Sequence, residues 1–512
     1  MSIPYNQANA GENPTTNSVR KFYIEDDFTT KDIIGLVEQH IANSATYDKL
    51  YNYYKGNQSI QNRNFNDHNK PNNKIVNNFC KLVVDTSASF LMSEPVTYTS
   101  KNKSTLKAIK EVLDVNNVNN VNLEEAKLSA IMGHVFEIHW IGEQGHRFKQ
   151  ISAEHCFIAY SMDVEETPLV ACNYKAYTML DGTKRRRVEI YTRETFSTIS
   201  YDYIAEAKAT NDAYQNIKYT DVIPHNFGEL PVIEIVANDE RLGDFEGAMS
   251  IQDAYNLVQS DTANDINYWN DAYLHFDGLE LTEDDDIADM KNDRVFVTPP
   301  SPAGSTSIRF ITKEVNDKHL ENFKSRLSED FFRFTQTADV SGSNFTASSG
   351  VAIKYRTQTL ENKTSIKEVK FKDAMKKRHR LIAHTINLPK DSSKYLDPDI
   401  ISVTFTRNLP ASLTELSDMI VKLQGIVSNE TLIGTIPFVE DVAGEQALVS
   451  KEAESAIMRT TGVPVAQQAN TKLDNNPDAS PAVETNSTMT ATSAKAKQVA
   501  RTKKPLNQPK AT

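Results

Sequence analysis

The chain has 512 residues, too many for one core, so roughly two to four domains are expected. Hydrophobic residues make up 39% and the mean hydropathy is −0.49, which leaves much of the length for polar surface, subunit contact or tail. A formal charge of −12 excludes a chain that grips nucleic acid over its whole surface, and the absence of GxxxxGK[ST] and GxGxxG loops excludes a P-loop ATPase or a dinucleotide site. Residues 1–27 read as a disordered polar arm without the apolar stretch of a signal peptide. Phe28, Ile33, Ile34, Leu36, Val37 and Ile41 recur at helical spacing, and YDKLYNYYKGN closes at Gly56, which predicts a helix over 28–56. The Asn-rich residues 57–73 follow as a loop. In NNKIVNNFCKLVVDTSASFLMSEPVTY, residues 72–98, Ile75, Phe79, Leu82, Val83, Ser87 and Phe90 keep a helical period. Pro95 ends that helix, and Val96 and Tyr98 alternate as a strand.

A short helix at 105–113 leads to NNVNNVN, 116–122, read as a turn-rich joint. A helix over 123–132 passes into the alternating Val135, Phe136, Ile138 and Trp140. Strand-like runs at 157–162, 169–180, 186–200 and 230–238 are separated by turn signals at Asp181-Gly182 and 225–228. Residues 244–274 then form a long helical pattern, about 45 Å at the α-helical rise. Ile251, Tyr255, Val258, Ile266, Trp269 and Tyr273 share one side, and Glu246, Asp253, Asp261, Asp265 and Asp271 another, with no Lys or Arg in the window. Short strands and turns over 276–311 include the acidic run Glu283, Asp284, Asp285 and Asp286. A second helix, 316–337, carries Leu320, Phe323, Leu327, Phe331, Phe332 and Phe334, and a Gly/Ser-rich loop, DVSGSNFTASSG, spans 339–350. The next helix, 351–386, is basic, with ten Lys or Arg against three acidic residues. A strand at 400–406, three or four short helices over 411–459, and a disordered tail of Ala, Thr, Asn, Pro and Lys complete the chain.

Chemistry-bearing clusters are few. Cys80, Cys156 and Cys172 show neither a disulfide framework nor a zinc spacing. His134 and Glu137 fall on opposite faces of a strand, so with His139 they do not converge on a metal. Glu283–Asp286 lacks the spaced ligands and central Gly of a calcium loop. His155-Cys156 has no third group to orient a dyad, and Arg185–Arg187, beside a hairpin turn, read as solvated. Lys363, Lys367, Lys370, Lys376, Lys377, Arg378 and Arg380 either touch DNA phosphates or pair with acidic neighbours in an assembly. No run of 18 apolar residues spans a membrane.

Several longer phrases are specific. NNKIVNNF…VVDT…SFLMSEPVTY, YDKLYNYYKGN, WNDAYL, NFTASSGVAIKYRTQTLENK and VTFTRNLP…VKLQGIVSNETLI resemble, in the same order, the portal proteins (head-to-tail connector rings) of tailed siphophages that infect Gram-positive bacteria. The resemblance covers roughly residues 28–460. It implies an α+β portal fold with a mixed α/β wing, a long-helix stem, a small α/β clip and an α-helical crown. On this chain the wing is 28–243, the stem helices 244–274 and 316–338, and the clip 275–315. A tunnel loop follows at 339–350, then the long helix and returning wing strand at 351–410, the crown at 411–460 and the tail at 461–512. The implied function is a dodecameric ring at a unique capsid vertex. The ring is the channel through which the terminase motor packages double-stranded DNA and through which DNA is ejected, and it is the platform for head-completion or adaptor proteins. Partners implied are eleven further copies, DNA without sequence preference, the terminase large subunit, scaffold and major capsid protein. No catalytic role, cofactor, metal or membrane is implied, and the location is the virion, with assembly in the host cytoplasm. Ser341, Gly342, Ser343, Asn344, Phe345, Thr346, Ala347, Ser348 and Ser349 become the DNA-facing loop. Asp253, Asp261, Asp265 and Asp271 become an acidic stripe facing either the channel or the next subunit, and Glu283–Asp286 a clip surface for a partner. The rival reading is a minor capsid or nucleic-acid-processing protein with scattered carboxylates for metal-assisted hydrolysis.

Overall fold

In the computed structural model the structure describes residues 20–65, 71–203, 214–269, 273–278, 295–299, 306–311, 317–338, 350–389, 395–407, 413–436, 439 and 442–461. The expected loop residues 341–349, the acidic run 283–286, Asp271, most of the N-terminal arm and nearly all of the tail lie outside these. The chain divides into two units, residues 1–411 and 412–512.

In the first unit, helix α1 (Thr30–Lys55) starts at a capping box between Thr29 and Asp32 and stops where Gly56 turns left-handed at φ 91°, as the Gly signal predicted. Helix α2 spans Phe79–Met92, and Asn78 caps it through Lys81 N–H. The helical period read over 72–98 therefore begins too early: Asn72–Asn78 forms neither helix nor strand. Strand β2 (Thr97–Thr99) and helix α3 (Lys103–Val115) follow. Helix α4 (Val118–Met132) takes in most of the expected joint, which shrinks to Asn116-Asn117, with Asn117 at φ 50°. The Asn-rich run is helical because Val118, Val121 and Asn122 are buried. Gly133 ends α4 at φ 84°, and a side chain there would put Cβ 1.8 Å from the Arg241 carbonyl.

Strands β3 (His134–Gly142) and β4 (Gly145–Ser152) form a hairpin, and β11 (Val232–Val236) flanks β3 in an antiparallel three-stranded sheet. The larger sheet has seven strands: β1 (Phe22–Tyr23), β5 (Cys156–Tyr160), β6 (Pro168–Thr178), β7 (Lys184–Tyr191), β8 (Thr195–Tyr203), β9 (Tyr214–Tyr219) and β10 (Ile223–Pro224). The single run read over 186–200 is a hairpin of β7 and β8. One face of this sheet, with Val170, Cys172, Tyr174, Val188, Ile190, Ile199 and Tyr201, packs on Ile33, Ile34 and Val37 of α1.

Helix α5 (Met249–Trp269) follows a 3-10 turn at Glu246–Ala248. Its 21 residues span about 32 Å, shorter than expected, because strand β12 (Tyr273–Asp277) already begins within the predicted helix. Strand β12 lies between β13 (Val295–Thr298), which is parallel to it, and the antiparallel β14 (Ser307–Ile311). Helices α6 (Asp317–Phe334) and α7 (Gly350–Asn387) bracket the expected loop. Strand β15 (Ser402–Thr404) pairs antiparallel with β2 in a two-stranded sheet. The second unit holds α8 (Leu413–Leu423), α9 (Asn429–Ile433), capped by Ser428, and α10 (Val442–Thr461).

Candidate functional site

The paired helices α5 and α6 meet the rest of the first unit through a strap. Four residues on α5 advance about 6.0 Å, while two residues of extended chain advance about 6.6 Å. A helix row at i, i+4, i+8, i+12 can therefore accept from alternate amides of a strand laid along it. Gln252 Oε1, Asn256 Oδ1, Ser260 Oγ and Asn264 Oδ1 accept from the N–H groups of Phe79, Asn77, Ile75 and Asn73, at 3.1, 2.9, 3.0 and 2.7 Å. Gln252, Asn256 and Ser260 are fully buried. Gln252 Nε2 also donates to Asn77 O, and Asn256 Nδ2 to Gln58 Oε1. At the end of the strap the Phe79 ring lies 4.8 Å from that of Tyr255, 5.5 Å from Phe331 and 5.4 Å from Phe332. Sorting α5 into an apolar and an acidic side missed this third row, although its four-residue spacing was visible.

The acidic side is partly engaged within the chain. Asp253 accepts from Tyr53 Oη at 2.7 and 3.0 Å and from Ser59 Oγ at 3.3 Å, and burial raises its carboxyl above the usual range. Asp261 pairs with Arg63, and Asp265 is half-buried.

A second anchor is Asp244, just before α5. Its carboxylate lies 2.6 Å from Lys367 Nζ and 3.3 Å from Lys363 Nζ. Burial works to raise it, but Lys363 and Lys367 outweigh that and hold it at about 2. Lys363 also donates to Thr335 O at 2.8 Å, and Lys367 to Ser87 Oγ at 3.1 Å. Helix α7, the chain just after α6, α2 and the start of α5 thus converge on one carboxylate, beside the described flanks of the expected loop.

Several cations of the basic helix have acidic partners within the chain. Lys370 pairs with Asp239, Lys376 lies 3.6 Å from Asp373, and Arg380 lies 3.6 Å from Glu229. Arg378 is buried and donates to Glu125 at 2.8 Å, Glu137 at 2.9 Å and Asn122 at 2.7 Å. Arg186 is likewise not solvated: it is buried, pairs with Glu38, and lies over the Tyr203 ring at 4.1 Å, because the sheet face carrying it packs on α1. Arg185 pairs with Asp202 at 2.6 Å.

His134 turns to Glu234 at 2.7 Å and to Tyr47 Oη at 2.8 Å, whereas Glu137 and His139 sit together at 2.9 Å on the other face. Among the described residues no group of three or more His, Cys, Asp or Glu is arranged to hold a metal. Cys156 is buried and its thiol is pushed far up by that burial, which leaves it unreactive. No helix among the described residues is long and apolar enough to cross a membrane.

Comparison with known proteins gives a family and several relatives. The family described as phage portal protein, SPP1 Gp6-like, matches residues 36–458. The portal protein of Clostridium phage phiCD119 is 24% identical over 407 residues, covering 77% of this chain and 88% of the relative. The portal protein of Bacillus phage SPP1 is 23% identical over 459 residues, covering 86% of each. Among solved structures, the neck of an empty gene transfer agent particle is similar at a TM-score of 0.38 and 10% identity, covering 72% of this chain and 88% of that one. A native gene transfer agent virion is similar at a TM-score of 0.36, with the same identity and coverage.

Proposed function

The chain belongs to the SPP1 Gp6-like phage portal protein family, and from that premise we propose that it forms a dodecameric ring at one capsid vertex. The ring is the channel for DNA packaging by the terminase and for DNA ejection. It is also the platform on which head-completion proteins dock, and it assembles in the host cytoplasm with scaffold and major capsid protein. The role is structural rather than catalytic. One finding carries this reading: the family match at 36–458 runs through the strap, both paired helices, the sheet between them in sequence and the long helix. Helices α5 and α6 serve as the stem and β12–β14 as the clip. Residues 341–349 supply the contact with the passing duplex, and the acidic run 283–286 a surface for a docking partner.

Native mass spectrometry with negative-stain microscopy tests the assembly. Twelve copies of the 57.5 kDa chain weigh about 690 kDa, and closed head-to-tail contacts give a ring. A ring of that mass with a hole wide enough for duplex DNA is expected. A monomer or dimer that stays small after scaffold protein is added would overturn the reading.

A further inference from the structure

A row of like charges crosses the exposed part of the seven-stranded sheet. Lys175 of β6 stands opposite Arg187 of β7, Arg187 opposite Ser200 of β8, and Ser200 opposite Lys218 of β9. Strands lie about 4.8 Å apart, so the three cations span roughly 14 Å of one sheet face. All three are exposed, while Tyr174, Val188, Ile199 and Tyr201 point the other way into the core against α1.

Lys175 and Arg187 stand directly opposite each other, and like charges so placed on neighbouring strands are destabilising, so folding does not favour that pair. Other basic groups nearby have acids: Arg186 has Glu38 and Arg185 has Asp202. Glu189 lies 3.8 Å from Arg187 but accepts from Asn173 at 2.8 Å. Among the described residues Lys175 has no ion pair, and Lys218 has none within 4 Å, although its charge helps Arg185 and Asn216 to hold the Asp202 carboxyl below its usual range. In a chain of net charge −12 this is a local concentration of positive charge.

We propose that the row binds the phosphate backbone of duplex DNA without sequence preference, at a surface separate from the elements assigned to the channel. Cations on a flat, rigid sheet meet phosphates as point contacts and need no pocket. An acidic protein partner would call for a central apolar or aromatic anchor. The row has none between its charges; the nearest large ring, Tyr177, lies two residues along β6 beside Arg185.

The test is fluorescence anisotropy of a duplex of arbitrary sequence with the full-length assembled protein, titrated with salt between about 50 and 200 mM. The variant Lys175→Gln/Arg187→Gln/Lys218→Gln is expected to bind more weakly, and its log–log salt slope to flatten by roughly 0.9 for each phosphate that is no longer neutralised. Lys103→Gln/Lys107→Gln/Lys110→Gln removes the same charge from exposed positions on α3 and is expected to leave the slope unchanged. Equal weakening in both variants, or in neither, overturns the proposal. So does retained duplex binding with abolished binding to poly-glutamate, which would reassign the row to an acidic protein. Native masses of all three proteins report on ring assembly separately, so a failed ring and a failed DNA surface are distinguishable.

Discussion

Arg378 shows how a buried charge can be held and how its surroundings respond. It is 1% exposed and touches Glu125, Glu137 and Asn122. Burial raises the Glu125 carboxyl well above its ordinary 4.5; Arg378 opposes that shift and Glu137 adds to it. Burial also acts against ionised Glu137, but Arg378 and then His139 outweigh it and hold Glu137 far below the usual range. The surroundings thus favour the protonated form at Glu125 and the charged form at Glu137. A raised carboxyl pKa contributes stability that is complete below 4.5 and is lost as pH rises through the folded value. Glu125→Gln copies the protonated form, so its urea midpoint should gain on the wild type as pH climbs from about 5 to about 8.5. A constant gap over that range would contradict the assignment of the proton. Arg378→Met leaves Glu137 buried without its cation and should cost about 3–5 kcal/mol, whereas Lys376→Met, at an exposed pair, should stay within about 0.5 kcal/mol. Equal midpoints for these two variants would mean that the cluster does not hold the fold.

At the scale of elements, the strap makes a sharper prediction than its sequence did. In a helix every amide beyond the first turn is bonded, so hydrogen exchange would be slow without interruption. On the strap only Asn73, Ile75, Asn77 and Phe79 donate to α5, so protection should alternate, with Lys74 and Val76 exchanging quickly. Residue-resolved hydrogen exchange reads this directly, and unbroken protection from 73 to 79 would restore the helix. Asn256→Ala removes the acceptor for Asn77 and the donor to Gln58, and should speed exchange at Asn77 while costing about 1–3 kcal/mol. Much of the fold was legible because its signals are local. Gly56 ended α1, the apolar period marked α6, and alternation marked the strands. The strap was not legible because its acceptors lie 173 to 191 residues downstream. The same cause hid the burial of Asn122, whose partner is 256 residues away, and of Arg186, whose acid is 148 residues away. Where the bonding partner is distant in sequence, local period and polarity mislead.

At the scale of the whole molecule, the channel role proposed for the segment 341–349 turns on whether it acts on DNA, and the contacts around it allow function to be separated from folding. The chain on its N-terminal side is held by Phe331 and Phe332 in the core and by Lys363 bonded to Thr335 O; Lys363 is in turn fixed by Asp244. None of these contacts uses a side chain from 341–349. Replacing Asn344, Phe345 and Thr346 by glycine keeps the segment's length and removes none of these contacts, so the ring mass should not change, and the unfolding midpoint should fall by no more than the glycines' added unfolded-state entropy, about 1 kcal/mol each. If the segment meets the duplex, packaging in a reconstituted terminase reaction should nevertheless slow severalfold. Asp244→Asn provides the opposite case: it leaves Lys363 and Lys367 without their carboxylate and should lower stability before packaging is ever measured. Normal packaging by the glycine variant, with the ring intact, would remove this segment from the DNA path while leaving family and assembly untouched.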